Sequence, residues 1–374
     1  MEVYLLSQIE SMPHKKPDRQ NALHLYYICA ANGGGMEINM NTYNLDKIVH
    51  YVLKAIDERK EAPGAYARWR IQNSWGGRDM GVTEYGCADA ANMLYTLGYF
   101  PRDIEERAAF VKVLQGMQKP DGRFEEATHH TLHTTAHCIA ALELFDAAPA
   151  LPLTYHMENF GTPEQVVEFL ETRDWSGDPW DQSHQGAGFY AAMALTCNMP
   201  LEWHDAYFNW LAEHVDQKTG IGLEGAHDGT KSMLHHLAGW FHYMFNHVYA
   251  HRPFPNAEKC VDSMIDYYHE YLVSAPHFGK SIGFAEIDWL FLLNRASMQC
   301  GHRREEAKEC MRHFAAGYIA YLEHDLENVY KTKFDDLHAL FGTTCALAEL
   351  QIALPGEIKS TRPLKHVMDR RPFI

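Results

Sequence analysis

The sequence predicts an all-α protein in which six helical hairpins close into a ring, an (α/α)6 toroid. Three observations predict this fold: a repeat along the chain, a contrast between two kinds of helix, and the position of the long connections. Stretches rich in small residues recur at spacings of 48, 50, 51, 51 and 52 residues, and they begin near Thr83, Thr131, Asp181, Ser232, Gly283 and Asp335. A regular period of this size indicates one supersecondary unit that is used repeatedly.

The chain before the first helix is expected to form a separate segment, residues 1–43, with a short β-hairpin. Residues 32–35 read Asn-Gly-Gly-Gly, a turn-forming sequence, and the residues around Tyr26 favour a strand. Residues 44–354 then form the toroid domain. The remaining residues, 355–374, are rich in Pro and Arg, and we expect them to wrap around the outside of the ring.

Each predicted hairpin pairs a charged helix with a helix rich in Ala, Gly and Thr. The charged helices mix apolar and charged residues at helical spacing, as surface helices do, and they cover residues 44–60, 103–118, 163–172, 201–215, 256–273 and 303–327. Their partners carry few charges after the first turn, so we expect them to be buried on most of their surface. These buried helices would form the inner wall of the ring.

The long connections mostly run from the charged helix to the buried helix of each pair. They should therefore gather at one mouth of the ring, together with the N-termini of the buried helices. These loops are rich in Trp, His, Asp and Glu. Because binding groups concentrate on loops that a rigid scaffold holds, we expect the functional site at this mouth.

Composition narrows the classes of partner. The net charge of −16 argues against nucleic acid, whose binding needs Lys and Arg to neutralise phosphates, and against an anionic membrane surface. The first ten residues resemble no secretory signal, and no apolar stretch is long enough to span a bilayer. The eight scattered cysteines form no Cys-x-x-Cys pair, which favours reduced thiols in a cytoplasmic protein. A secreted form is left open, as is the oligomeric state.

One motif carries a resemblance to known families. Residues 118–124 read Gln-Lys-Pro-Asp-Gly-Arg-Phe and precede a buried helix, and residues 216–222 are a weaker copy. This pattern resembles the Q-x-P-D-G-x-F repeat of squalene–hopene cyclases and protein prenyltransferases. Six-hairpin glycosidases and toroidal polysaccharide lyases share the same ring of hairpins. The resemblance implies this scaffold over about residues 44–353, and the scaffold hosts several unrelated chemistries.

The chain departs from the isoprenoid families at their reactive motifs. Class II terpene cyclases carry Asp-x-Asp-Asp, whereas residues 334–337 here read Phe-Asp-Asp-Leu. Protein prenyltransferases bind zinc through an Asp that is followed two residues later by a Cys. In this chain the order is reversed, since Cys87 precedes Asp89. The resemblance therefore supports the scaffold and leaves isoprenoid chemistry without a motif.

Acidic residues at the starts of the buried helices are the candidate catalytic groups. Any one of them is explained as a helix cap, because the helix dipole favours acids there. Several acids that converge at one mouth would raise one another's pKa, which is what a general acid needs. The acids selected in this way are Glu84, Asp89, Asp181, Glu286 and Asp288.

Histidines cluster around the second buried helix. His133 and His137 are four residues apart and share one helix face, a spacing that can hold a metal. Without a third ligand nearby in the sequence, we interpret them as polar lining of a pocket and expect neither a metal ion nor a cofactor. His133 is included among the catalytic candidates. The residues expected to bind substrate are Trp75, Tyr85, His129, His137, Trp175, Trp180, His184, His235, His236, Trp289, Asp336 and His338.

These residues favour a carbohydrate-active enzyme that takes a small-molecule or oligosaccharide substrate. Hydrolysis would use two carboxylates that flank the glycosidic bond, drawn from Asp89, Asp181 and either Glu286 or Asp288. Elimination from a uronic acid would use a His–Tyr pair, and a cation would neutralise the uronate. The candidates are Tyr85, Tyr190 and Tyr243 for the phenol and Arg78, Lys231 and Lys280 for the cation. An isoprenoid cyclase or transferase and a non-catalytic binding toroid are the alternatives.

Overall fold

The computed structural model describes residues 42–72, 78–229, 231–332 and 335–374. The hairpin expected around residues 32–35 lies outside the described residues. The described chain is mainly helical, with thirteen α-helices: α1 Asp46–Asp57, α2 Glu84–Thr96, α3 Ile104–Gly116, α4 Thr131–Leu144, α5 Thr154–Phe160, α6 Pro163–Glu171, α7 Pro179–Thr196, α8 Leu201–His214, α9 Met233–Tyr249, α10 Ala257–Glu270, α11 Ala285–Cys300, α12 Arg304–Thr332 and α13 Leu337–Ala353. An all-α fold is therefore confirmed.

Both members of every predicted helix pair are present, with ends within a few residues of those expected. The charged helices present one buried face: in α1, for example, Ile48, Val52 and Ile56 are buried and recur at helical spacing. Thr162 and Gln165 form a capping box at the start of α6, which explains where that helix begins. The sequence analysis missed the short helix α5, which follows α4.

Six helices, which we call the buried helices, are α2, α4, α7, α9, α11 and α13. In α13, for example, fifteen of the residues from Leu337 to Ala353 are buried. Each buried helix contacts the next one along the chain, from α2 to α4 and onward to α13, and α13 in turn contacts α2. The contacts among these six helices thus form a closed cycle.

Glycines allow the buried helices to approach one another at backbone distance. A Cβ added at Gly188 would lie 2.8 Å from the carbonyl oxygen of Leu132, and one at Gly239 would lie 2.6 Å from that of Pro179. At Gly342 the added atom would meet the carbonyl oxygen of Gly283 at 2.6 Å. Since real Cβ atoms do not come this close to backbone atoms, the small residues noted in the sequence have a direct packing role.

Short strands flank the helices. β1 (Tyr43–Asn44) pairs in parallel with β4 (Ile358–Lys359), so the chain before α1 is joined to the chain after α13. β2 (Lys60–Ala62) and β3 (Ala65–Tyr66) form a small antiparallel hairpin between α1 and α2. None of the helices in the described part of the chain combines the length and the apolar composition that a bilayer crossing requires.

The segment after α13 differs from the expected outer wrap. Its last residues are fully buried, including Arg371, Phe373 and Ile374. The ring of Phe373 lies 4.6 Å from that of His133 and 5.3 Å from that of Phe245, and Arg371 donates hydrogen bonds to the carbonyl oxygen of Phe373 and to the side chain of Asn92. Apolar residues interspersed among the Pro and Arg make this burial favourable, because removing them from water stabilises the packed tail.

Candidate active centre

Six histidines from four buried helices and one loop meet in the interior. We call them the histidine cluster: His129, His133, His137, His184, His242 and His338. Ring centroids lie 4.5 Å apart for His133 and His184, 4.9 Å for His184 and His242, and 5.3 Å for His137 and His338. Residues near the N-termini of α2, α4, α7 and α13 lie at the same level, so side chains that are distant in sequence come into contact.

Tyr85 lies at the centre of this cluster, in the first turn of α2. Its ring stacks on His129 at 4.4 Å and on His137 at 4.8 Å. Its hydroxyl makes a short hydrogen bond with Nδ1 of His133. Burial raises the pKa of Tyr85 well above its usual value, so the phenol keeps its proton at neutral pH. Tyr85 is therefore placed to donate a proton.

Asp89 lies one helical turn after Tyr85 and forms hydrogen bonds with two of the histidines. Its Oδ1 lies 2.8 Å from Nε2 of His137 and 3.0 Å from Nδ1 of His338. Its Oδ2 has no hydrogen-bond partner among the described residues. Burial raises the pKa of Asp89, although His137 acts in the opposite direction. Asp89 thus orients imidazoles and is itself fully enclosed.

Arg68 brings a buried positive charge to the cluster. It donates from Nε and Nη2 to the two carboxylate oxygens of Asp336, each at 2.7 Å, and from Nη1 to Thr128 at 2.7 Å. Its guanidinium also lies over the ring of Tyr85 at 4.9 Å. Burial alone would raise the pKa of Asp336, but Arg68 outweighs it and the pKa is lowered. Asp336 also caps α13, since it accepts the backbone N–H of His338.

Glu126, Thr128 and His129 cover the cluster from the loop between α3 and α4. Nδ1 of His129 lies 2.7 Å from the hydroxyl of Thr128 and 3.9 Å from a carboxylate oxygen of Glu126. Glu126 accepts the backbone N–H of Thr128 at 2.8 Å. The carboxylate therefore orients the imidazole through the hydroxyl of Thr128, which donates to Glu126 and contacts Nδ1 of His129.

Burial favours the neutral form of five of the six histidines of the cluster. It lowers the pKa of His184 to about 4, and it lowers the pKa values of His129, His133, His242 and His338 well below their usual range. Desolvation disfavours the charged imidazolium, and neighbouring histidines add to this effect. Neutral imidazoles keep a lone pair that can accept a proton or bind a metal.

Two sets of three side chains in the cluster have the composition of metal ligands. They are His133, His184 and His242 in one set and Asp89, His137 and His338 in the other, and within each set one ligand atom from each residue lies within 4.8 Å of the others. The sequence shows only the His133–His137 pair, which the structure divides between the two sets. The additional ligands come from α2, α7, α9 and α13.

The structure brings only some of the expected acids into the histidine cluster. Asp89 and Asp336 reach the cluster, whereas the side chain of Asp181 is 51% exposed and Glu84 is partly buried at the start of α2. Glu286 accepts the backbone N–H of Gly279 at 3.0 Å and the hydroxyl of Ser281 at 2.7 Å. Glu286 and its neighbour Asp288 are buried on α11.

Several expected substrate-binding aromatics have structural contacts instead. Trp175 stacks on Tyr243 at 4.8 Å, and Trp289 stacks on Tyr268 at 4.8 Å and donates its indole N–H to a carbonyl of α10. His236 stacks on His227, while Trp180 lies between His184 and His235, with ring centroids 6.1 Å from each. Trp75 lies outside the described residues. Sequence reasoning missed Arg68, Glu126 and His242, because none of them belongs to a local motif.

Glu286 is expected to make stability depend on pH. Burial raises its pKa from 4.5 to about 7, so the folded protein holds a proton that the unfolded chain has released in this range. The wild type should therefore lose about 3 kcal/mol relative to Glu286→Gln as the pH rises from about 4.5 to about 7. Denaturant unfolding of both proteins across this range measures the difference, and the exposed Glu171→Gln is the control. Parallel curves for wild type and Glu286→Gln would contradict the assignment.

Comparison with known protein families, with characterised proteins and with solved structures finds no match to this chain. The resemblance to toroid families noted in the sequence stays a prediction. The contacts of the histidine cluster are therefore the basis on which a function is inferred.

Proposed function

We propose that the protein is an (α/α)6 toroid enzyme that cleaves a glycosidic bond at the histidine cluster, by elimination from a uronic acid. The closed cycle of contacts among the buried helices supports the toroid. The convergence of N-terminal residues from α2, α4, α7 and α13 supports a site at one end of the ring. The substrate class follows from the set of reactive groups at that end.

The observation that carries this proposal is the environment of Tyr85. Its ring stacks on the imidazole of His129 at 4.4 Å, and the guanidinium of Arg68 lies over the ring at 4.9 Å. Elimination next to a carboxylate needs a base, an acid and a positive charge close together. These three groups are present around a single aromatic ring.

Each group has a defined role in the proposed reaction. The imidazole of His129, oriented by Glu126, takes the proton from the carbon that bears the uronate carboxylate. The electron pair forms a carbon–carbon double bond as the glycosidic carbon–oxygen bond breaks. Tyr85 donates its proton to the departing oxygen, and Arg68 stabilises the resulting phenolate because its charge lowers the pKa of Tyr85. Arg78 is paired with Asp335 at 3.8 Å, so the charge beside the uronate is also that of Arg68.

Access to Tyr85 requires a movement of the loop above it. Tyr85 is fully buried, and the loop that carries Thr128 and His129 lies over its ring. Thr128 is exposed, so this loop separates the phenol from solvent. The loop would open to admit the sugar and close again over it, which would return His129 to Tyr85 and exclude water from the reaction.

Hydrolysis is less well supported because the acids are committed to other partners. An acid and a base that flank a glycosidic bond are roughly 5–10 Å apart and must face the substrate. Asp89 is bonded to two histidines, Asp336 is paired with Arg68, and Asp181 is exposed. Glu286 has a pKa of about 7, which suits a general acid. Its charge, however, raises the pKa of Tyr318 on α12, so its neighbour is a residue outside the histidine cluster.

A panel of uronic-acid polysaccharides and oligosaccharides tests the proposal. Elimination creates a conjugated unsaturated sugar, so the expected result is a new ultraviolet absorbance that grows with time on at least one substrate. New reducing ends without this absorbance would indicate hydrolysis and contradict elimination. The absence of any cleavage across the panel would remove the carbohydrate assignment.

A further inference from the structure

We propose that His133, His184 and His242 form a binding site for one divalent transition-metal ion, with Zn²⁺ the best match. One ring nitrogen from each histidine lies within 4.8 Å of the others. The three residues belong to α4, α7 and α9, which contact one another in sequence order. The site goes beyond the proposed elimination, which uses His129, Tyr85 and Arg68.

The Nδ1 atoms of these histidines have oxygen neighbours of the kind that orient metal ligands. Nδ1 of His133 bonds to the hydroxyl of Tyr85, and Nδ1 of His242 lies 3.0 Å from the hydroxyl of Ser183. Nδ1 of His184 lies 4.0 Å from a carboxylate oxygen of Asp181. Metal-bound histidines commonly use their second ring nitrogen for such contacts. Coordination through Nε2 would leave the hydrogen bonds of His133 and His242 in place.

The sizes of the site and of a zinc ion are compatible after small side-chain rotations. Zinc–nitrogen bonds of about 2.0–2.1 Å in a tetrahedron place ligand nitrogens about 3.4 Å apart. The nitrogens of this set are at most 4.8 Å apart, so each ring needs to move inward by about 1 Å or less.

The second set of possible ligands is explained without a metal. Oδ1 of Asp89 already bonds to Nε2 of His137 and to Nδ1 of His338. These hydrogen bonds account for the proximity of the three side chains. In the all-histidine set, by contrast, no described carboxylate bridges the imidazoles. A bound ion would hold these three imidazoles together.

Three protein ligands leave a fourth tetrahedral position open, which is the arrangement of catalytic rather than structural zinc. The bound ion would lie beside Tyr85, since one of its ligands, His133, contacts that hydroxyl. A substrate oxygen or a water molecule could occupy the fourth position. Metal binding and sugar cleavage are separate properties, so either can be measured when the other fails.

Metal titration of the full chain, after treatment with a chelator, tests the site. Calorimetry with Zn²⁺ should give one equivalent bound, and Co²⁺ should give the visible absorption of a tetrahedral complex. His184→Gln and His242→Gln should each weaken Zn²⁺ binding at least about 10–100-fold, because each removes a ligand. His156→Gln is the matched control, since His156 is a fully buried histidine of α5 outside the cluster, and it should bind Zn²⁺ like the wild type.

Three results would overturn the site: no stoichiometric binding by the wild type, equal loss in His156→Gln, or loss in His338→Gln with full retention in His184→Gln. The last result would assign the ion to Asp89, His137 and His338. X-ray absorption of the zinc-loaded wild type covers the case in which the variants fail to fold. It should count three imidazole ligands, and two imidazoles with a carboxylate oxygen would contradict the assignment.

Discussion

Replacement of Tyr85 by Phe is expected to lower kcat for uronate cleavage by about 10²–10⁴-fold, because the departing oxygen loses its proton donor. The ring and its stacking on His129 and His137 stay in place. The hydroxyl's contact with Nδ1 of His133 is lost, so the free energy of unfolding should fall by only about 1–3 kcal/mol. Steady-state kinetics together with denaturant unfolding separates the catalytic loss from the structural one.

The chain contains a matched control for this variant. Tyr190 is also buried, and its hydroxyl lies 3.0 Å from Nδ1 of His204, so it too forms a Tyr–His contact. It stacks on Trp203 and Tyr207, away from the cluster. Tyr190→Phe should lose similar stability and keep its kcat. Equal loss of kcat in both variants, or none in Tyr85→Phe, would exclude Tyr85 as the acid.

Replacement of Arg68 by Met should destabilise the fold by about 3–5 kcal/mol, because it leaves the Asp336 carboxylate buried without its partner. Arg68 and Asp336 are both nearly inaccessible to solvent, and two hydrogen bonds of 2.7 Å join them. The contact to Thr128 and the charge over Tyr85 are lost as well. Urea unfolding at neutral pH measures the change.

A double variant distinguishes a lost ion pair from a lost packing contact. Arg68→Met combined with Asp336→Leu removes both charges, so it should recover stability relative to Arg68→Met alone. The recovery will be incomplete, because Asp336 also caps α13 and the loss of a cap costs about 1 kcal/mol. Removal of the exposed ion pair of Lys308 with Glu305 should cost less than about 1 kcal/mol. Additive losses in the double variant would show that the buried pair is not the source of the effect.

The helices could be predicted from the sequence because each signal is local. The spacing of small residues fixes α2, α4, α7, α9, α11 and α13, and charge at helical spacing fixes their partners. The tail was misplaced because Pro and Arg suggested the surface, while its apolar residues pack inside. Burial of Phe373 against His133 depends on space that only the assembled helices define.

The candidate centre could be predicted only in part. Tyr85, His133 and His338 were identified because they lie near helix starts, where the ring brings side chains together. Arg68 and His242 were not, since their partners are up to about 270 residues away and no spacing rule connects them. Acidic residues at helix starts were over-interpreted: Asp336 is a helix cap, and Asp181 stays largely in solvent.

The glycine contacts between neighbouring buried helices restrict how the protein can diversify. Where Gly188, Gly239 and Gly342 face carbonyl groups, neighbouring buried helices are already in backbone contact, and a single added methyl group would force them apart. The spacing of these helices therefore cannot shrink or tolerate larger residues at these positions. Sequence change is accommodated more readily in the connecting loops, whose lengths can vary without moving the helices.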